Sequence, residues 1–307
     1  MARKVKDYNL FKGYSWYTPG VGGMFALFGF FLLGVLIGNA VMLLIAATLG
    51  QDFAALYGTL IVYPVQFMPA MMYASFQSRR NAMFDTGYAL DSRHFGPGGF
   101  ALCAVVVVIT TIAAAFAGDI INYGNYLLTE QSPLLSRFYK IVSDMMKQLT
   151  GGPVWVSLLS VSVMAPLFEE WLCRGEVLRG LLHKGMKPGS AIAVSALFFA
   201  VLHLNPWQAL NAFLLGCLFG YVYYRTGSLW LTMLMHCANN TLAVIIQNID
   251  TLKDYEFFVQ IMPTGAYIAM LIVSVAVVAA AIVFLSKIPL IAPEGNSDPV
   301  SELSQTR

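Results

Sequence analysis

Charge is what this sequence has least of. Only 11% of its 307 residues are Asp, Glu, Lys or Arg, while 58% are hydrophobic, against about 25% charged residues in ordinary soluble domains. With a mean hydropathy of +0.68, the chain has no soluble domain, and an integral membrane protein is predicted. The formal net charge of +2 is too small to imply a nucleic-acid partner. Cysteine is scarce as well. Cys103, Cys173, Cys217 and Cys237 lie inside or against apolar segments with no CxxC spacing, which excludes a disulfide framework and a thiolate metal site. The zinc-peptidase pattern HExxH is missing too.

What the chain has in quantity is long apolar runs. About 20 helical residues cross the roughly 30 Å of bilayer hydrocarbon, and eight runs qualify, at about 24–49, 53–76, 98–118, 153–172, 189–204, 207–224, 228–248 and 264–286. The first is longer than the 7–15 apolar residues of a signal peptide and is expected to stay as a span. The fold class is therefore all-α, a polytopic membrane protein of about eight transmembrane helices. With both termini cytoplasmic, 14 of the 18 basic residues fall on the inner side, as the positive-inside rule requires. Residues 1–152 are expected to hold the N-terminal helices and one long connection, Asp119 to Gly152. Within it, SRFYKIVSDMMKQL suits a helix lying along the interface. Residues 153–250 form the core, 251–288 the last transmembrane helix, and 289–307 a polar tail expected to be disordered. Gly34 with Gly38, and Gly216 with Gly220, have the spacing that lets helices approach closely.

Ionisable groups are costly at bilayer depth, about 2.5–3.5 kcal/mol on insertion scales, so the few that occur there are informative. They are Glu169, Glu170 and Arg174 on the fourth span, His203 ending the fifth, and His236 on the seventh, where Asn240 is a further polar residue. Glu170 and Arg174 are four residues apart and share a helix face, so they are expected to pair. Glu169 points about 100° away and gains little from Arg174. An acid without a close cation is suited to trading protons. His236 and Asn240 are also four apart, and two uncharged donors on one face suit an oxygen that becomes negative during acyl transfer. Phe199 precedes His203 by one turn, where it can position the imidazole or simply pack. Taken singly, each histidine reads as an interhelical hydrogen-bond donor and the Glu170–Arg174 couple as structural. An unpaired acid, two histidines and an asparagine on three spans exceed what packing requires.

EEWLCR fits EExxxR, FAVLH fits FxxxH and HCANN fits HxxxN, in that order. The chain thereby resembles the CPBP family of intramembrane glutamic proteases, which includes the Ras-converting CAAX endopeptidase and bacteriocin-processing proteins. The resemblance spans Ala165 to about Leu242. It implies eight helices around an intramembrane cavity, with Glu169 activating water, His203 handling that water, and His236 with Asn240 stabilising the oxyanion. Glu170, Arg174 and Phe199 would act as support. No cofactor or metal is implied.

The expected activity is peptide-bond hydrolysis on a peptide or membrane-protein substrate within the lipid bilayer. A zinc hydrolase using His203, His236 and Glu169 is the first alternative. A cysteine protease fits less well, because Cys237 adjoins His236 in sequence and so faces away from it. A non-catalytic immunity or scaffold protein that binds a peptide remains the alternative from another class.

Overall fold

The computed structural model describes residues 17–78, 98–150, 153–252 and 255–288. The tail 289–307, expected to be disordered, and the basic residues Arg3, Lys4, Lys6, Lys12, Arg79, Arg80 and Arg93 lie outside the described residues. Among the described residues there is no strand, and the all-α class holds.

Among the described residues nine helices follow one another: α1 (Val21–Leu49), α2 (Gln51–Ser78), α3 (Gly99–Glu130), α4 (Pro133–Thr150), α5 (Val154–Leu182), α6 (Pro188–Leu202), α7 (Pro206–Thr226), α8 (Leu229–Gln247) and α9 (Thr264–Ser286). Six of these, α1, α2, α3, α5, α8 and α9, are long and apolar enough to cross a membrane. The remaining two expected spans are helices as well. However, α6 has only 15 residues, and α7, at 21 residues, carries Gln208, Asn211 and Arg225. Large side chains such as Leu36, Leu43 and Ile272 point outward, 67%, 72% and 64% exposed, as a lipid-facing surface requires.

One boundary differs from the sequence reading. α3 continues through Asp119 to Glu130, so the long connection begins later and consists mostly of α4. α5 runs past residue 172 and Arg174 to Leu182, as the largely apolar LCRGEVLRGLL predicts. Glu169 is therefore close to the middle of its helix. In α5, 61% of the most apolar window is buried, against 17% in α1 and α9, which makes it the central helix. It packs against α2, α6, α7 and α8.

α5 is not a uniform α-helix. π-helical turns cover Leu158–Met164 and Trp171–Leu178, on either side of the α-helical Ala165–Glu170. Pro166 cannot donate to the ladder, and its ring crowds the carbonyl four residues earlier, which accounts for the widened turns before it. Such turns occur frequently at functional sites.

Small residues set the closest helix contacts. A Cβ on Gly34 would lie 1.9 Å from the Gln66 carbonyl oxygen, and one on Gly38 2.9 Å from the Gln66 side chain, so α1 and α2 meet backbone to backbone. A Cβ on Gly216 would lie 3.0 Å from that of Ala196, and one on Gly220 3.1 Å from Ile192, which seats α7 on α6. The RTGSLW turn joins α7 to α8 by local chemistry. Gly227 adopts the left-handed conformation (φ +68°) that closes α7, and the Ser228 hydroxyl accepts from Leu231 N at the start of α8. α3 packs on α7, α8 and α9. Its buried Asp119 accepts from Phe258 N (3.0 Å), Val259 N (3.4 Å) and the Tyr267 hydroxyl (2.9 Å). This acid anchors the approach to α9.

Candidate active site

Glu169 and Glu170 leave the centre of α5 in different directions and meet different partners. Glu170 is fully buried. Its Oε1 accepts from Arg174 at 2.7 Å and from Nδ1 of His236 at 3.0 Å. Arg174, also fully buried, donates a second bond to the Gly216 carbonyl at 2.9 Å, which the glycine contact between α6 and α7 brings within reach. The guanidinium lies over the rings of Phe199 (4.6 Å) and Phe219 (5.4 Å). Charge, hydrogen bonds and aromatic faces together offset the desolvation of this ion pair.

Glu169 has no cation so near. Its Oε2 lies 3.9 Å from Nε2 of His203 and 3.9 Å from Nε2 of His236, too far for direct hydrogen bonds. Among the described residues this oxygen is buried without a hydrogen-bond partner. Acceptors at this spacing suit one bridging water. Side-chain exposure is 26% at His203, 12% at Glu169 and 4% at His236, so the site opens on the His203 side.

Each imidazole is oriented through its other nitrogen. His203 Nδ1 lies 2.8 Å from the Phe199 carbonyl. A carbonyl only accepts, so Nδ1 carries the proton and Nε2 is bare in the neutral ring. This explains the FxxxH spacing, since position 199 supplies both the acceptor and a ring packed edge-on to His203 at 4.6 Å. The same ring lies edge-on to His236 at 5.4 Å. His236 gives its Nδ1 proton to Glu170, and its Nε2 is likewise bare when neutral. His203 closes the end of α6, and the chain turns at once through Leu204 in the left-handed conformation (φ +49°). Asn205 then caps α7 through its bond from Trp207 N at 3.1 Å.

The structure brings Glu169, His203 and His236 together, with Glu170, Arg174 and Phe199 around them. Asn240 is placed differently. Its amide donates to the Val161 carbonyl at 2.8 Å and its oxygen accepts from Asn239 at 3.1 Å. Among the described residues it makes no hydrogen bond to the acid or the histidines. His236 and Asn240 do share one face of α8, and that face docks on α5 through Glu170 and Val161. The thiol of Cys237 is directed to Thr241, 3.9 Å from its hydroxyl. The apolar hollow of about 580 Å³ between α1 and α2, lined by residues such as Phe30, Met68 and Phe76, includes none of the site residues.

One contact was not legible in the motifs. Tyr63, on α2, donates its hydroxyl to Oε1 of Glu169. Its only signal in the sequence is a phenol beside a proline inside an apolar run, IVYPVQF, and aromatic residues are common in such runs.

Neither a curated protein nor a solved structure matches the chain. A family model does, described as Rce1-like, type II CAAX prenyl endopeptidase Rce1-like, over residues 151–242. That segment contains α5 to α8 up to Leu242, with Glu169, Glu170, Arg174, Phe199, His203, His236 and Asn240. Residues 151–242 thus match a Rce1-like type II CAAX prenyl endopeptidase family model, consistent with a member of the CPBP family.

Proposed function

We propose that this protein is a metal-independent intramembrane endopeptidase that hydrolyses a peptide bond with water activated by Glu169. At the level of the family, the Rce1-like domain supports a CAAX-type intramembrane protease. The observation that carries the finer reading is the unpartnered Oε2 of Glu169, 3.9 Å from two imidazole nitrogens. One water fits between these groups.

Oε2 takes a proton from that water, and the hydroxide attacks the scissile carbonyl carbon. The proton passes from Glu169 to the leaving amine as the tetrahedral intermediate collapses. His203, the more exposed imidazole, accepts a hydrogen bond from the water at its bare Nε2 and holds it in line. His236 serves as an oxyanion donor in its doubly protonated form, with Nδ1 bonded to the Glu170 carboxylate and the second proton, on Nε2, drawn from solvent. Asn240 retains one amide N–H beyond that bonded to Val161 and completes the donor pair. Both termini are assigned to the cytoplasmic side by the basic-residue bias, and the substrate is a peptide or membrane-protein segment that enters from the bilayer.

The decisive experiment compares cell membranes carrying the wild type or Glu169→Gln, reading peptide termini by mass spectrometry. The variant is expected to insert normally while one peptide accumulates uncleaved. Identical termini in both would overturn the proposal, and a phenotype that survives the substitution would favour the non-catalytic, peptide-binding alternative. Convergence of two imidazole nitrogens and one carboxylate oxygen is also a zinc donor set. That second reading is separated by metal analysis and by activity after chelation.

A further inference from the structure

The two oxygens of Glu169 have different surroundings. Oε2 faces the imidazoles, whereas Oε1 accepts the hydroxyl of Tyr63. Tyr63 belongs to α2, outside the segment that carries the EExxxR, FxxxH and HxxxN motifs. We propose that Tyr63 is the positioning residue of the acid, holding Oε1 so that Oε2 alone is presented to water. The proposal rests on the reading of Glu169 as the base.

Its ring is well placed for that task. Tyr63 stacks on Phe67 (5.7 Å, 25°), and Phe67 stacks on Phe168 (5.4 Å, 18°), the residue preceding Glu169. Phe31 of α1 braces Phe67 at 5.1 Å. Hydroxyl and carboxylate are thus registered to one aromatic ladder, and rotation of the carboxylate about its last bond costs the Tyr63 hydrogen bond. A phenol is also the appropriate donor. It supplies a proton without a charge, whereas a lysine there would form an ion pair and blunt the base. The groups facing Glu169 are Tyr63 from α2, His203 from α6, His236 from α8 and Cys173 on α5 itself. Of these, only Tyr63 hydrogen-bonds the acid.

The test is Tyr63→Phe in the full chain, reconstituted in nanodiscs, since phenylalanine keeps the stacking and removes only the hydroxyl. With a farnesylated CAAX peptide as probe, kcat is expected to fall about 10–100-fold with KM little changed. Infrared difference spectroscopy reads the contact without substrate, through the carboxyl bands that Glu169→Gln removes, and these bands should shift in Tyr63→Phe as the hydrogen bond is lost. Unshifted bands, or a wild-type kcat, overturn the role of Tyr63. If Glu169→Gln itself cleaves the probe, the base assignment fails instead, so the two failures are distinguishable.

Discussion

The Nδ1 proton of His236 is held by Oε1 of Glu170, 3.0 Å away, and the same oxygen accepts from Arg174 at 2.7 Å. One buried carboxylate atom thus orients an imidazole and neutralises a guanidinium. Removing one partner of a buried ion pair leaves an uncompensated charge and costs about 3–5 kcal/mol. Glu170→Leu is therefore expected to lower the unfolding midpoint strongly. Glu170→Leu with Arg174→Met should recover part of that loss. Thermal unfolding in detergent of the two single variants and the double variant checks this.

His203→Ala and His236→Ala test how the site divides its labour. Each is expected to reduce kcat about 10²–10⁴-fold, the usual contribution of a positioned acid–base group. His236→Ala should in addition destabilise the fold, since it strips a partner from buried Glu170. His203, more exposed and bonded only within its own helix turn, should leave the unfolding midpoint nearly unchanged. Rate and unfolding measurements on the same preparations separate the two.

Gly34→Leu is expected to damage the site from a distance. Its Cβ would lie 1.9 Å from the Gln66 carbonyl oxygen, so α1 and α2 must part. Small-to-large changes in packed positions cost about 1–3 kcal/mol. As α2 carries Tyr63, activity should fall as well, while Gly29→Leu, at a position with open space, should be silent. Unfolding midpoints and cleavage rates of both variants decide the point.

Chelation is expected to leave cleavage unchanged. After dialysis against a zinc chelator, the purified protein should keep its full rate and contain less than stoichiometric zinc. Loss of activity that added zinc restores would move Glu169, His203 and His236 to the role of ligands.

The amphipathic α4 is tied down by Glu256, which accepts from the Tyr139 hydroxyl and from Ser143 at 3.0 Å. Burial, and then the bond to Glu256, raise the Tyr139 phenol above its ordinary value of 10.0. A raised acid keeps its stabilising proton below the ordinary value and loses it only as pH climbs through the raised one. The tether should therefore hold through neutral and mildly alkaline pH. Proteolysis of the α4 segment is expected to be flat between about pH 6 and 9, and accelerated in Tyr139→Phe at every pH.

Much of the site was legible because its parts are local. Four-residue spacing places Glu170 with Arg174, Phe199 with His203 and His236 with Asn240, whatever surrounds them. Asn240 marks the limit of that logic. Its face was read correctly from spacing, yet its amide is engaged by the Val161 carbonyl, which no spacing on α8 can reveal. Asp119 is similar. It reads as part of a connection, but α3 runs through it, and its partners come from the 3₁₀ turn at Phe258–Gln260, far along the chain.

By itself, the sequence determined a helical membrane protein, the order of its helices and the pairs of side chains that share a face, because apolar length and helical periodicity act along the chain. Only the tertiary structure decided that Tyr63 from the first half meets Glu169 and that His236 shares an oxygen with Arg174. These depend on how separate helices pack, and in a chain whose surface and interior are equally apolar, hydropathy does not distinguish the face that meets a neighbour from the face that meets lipid.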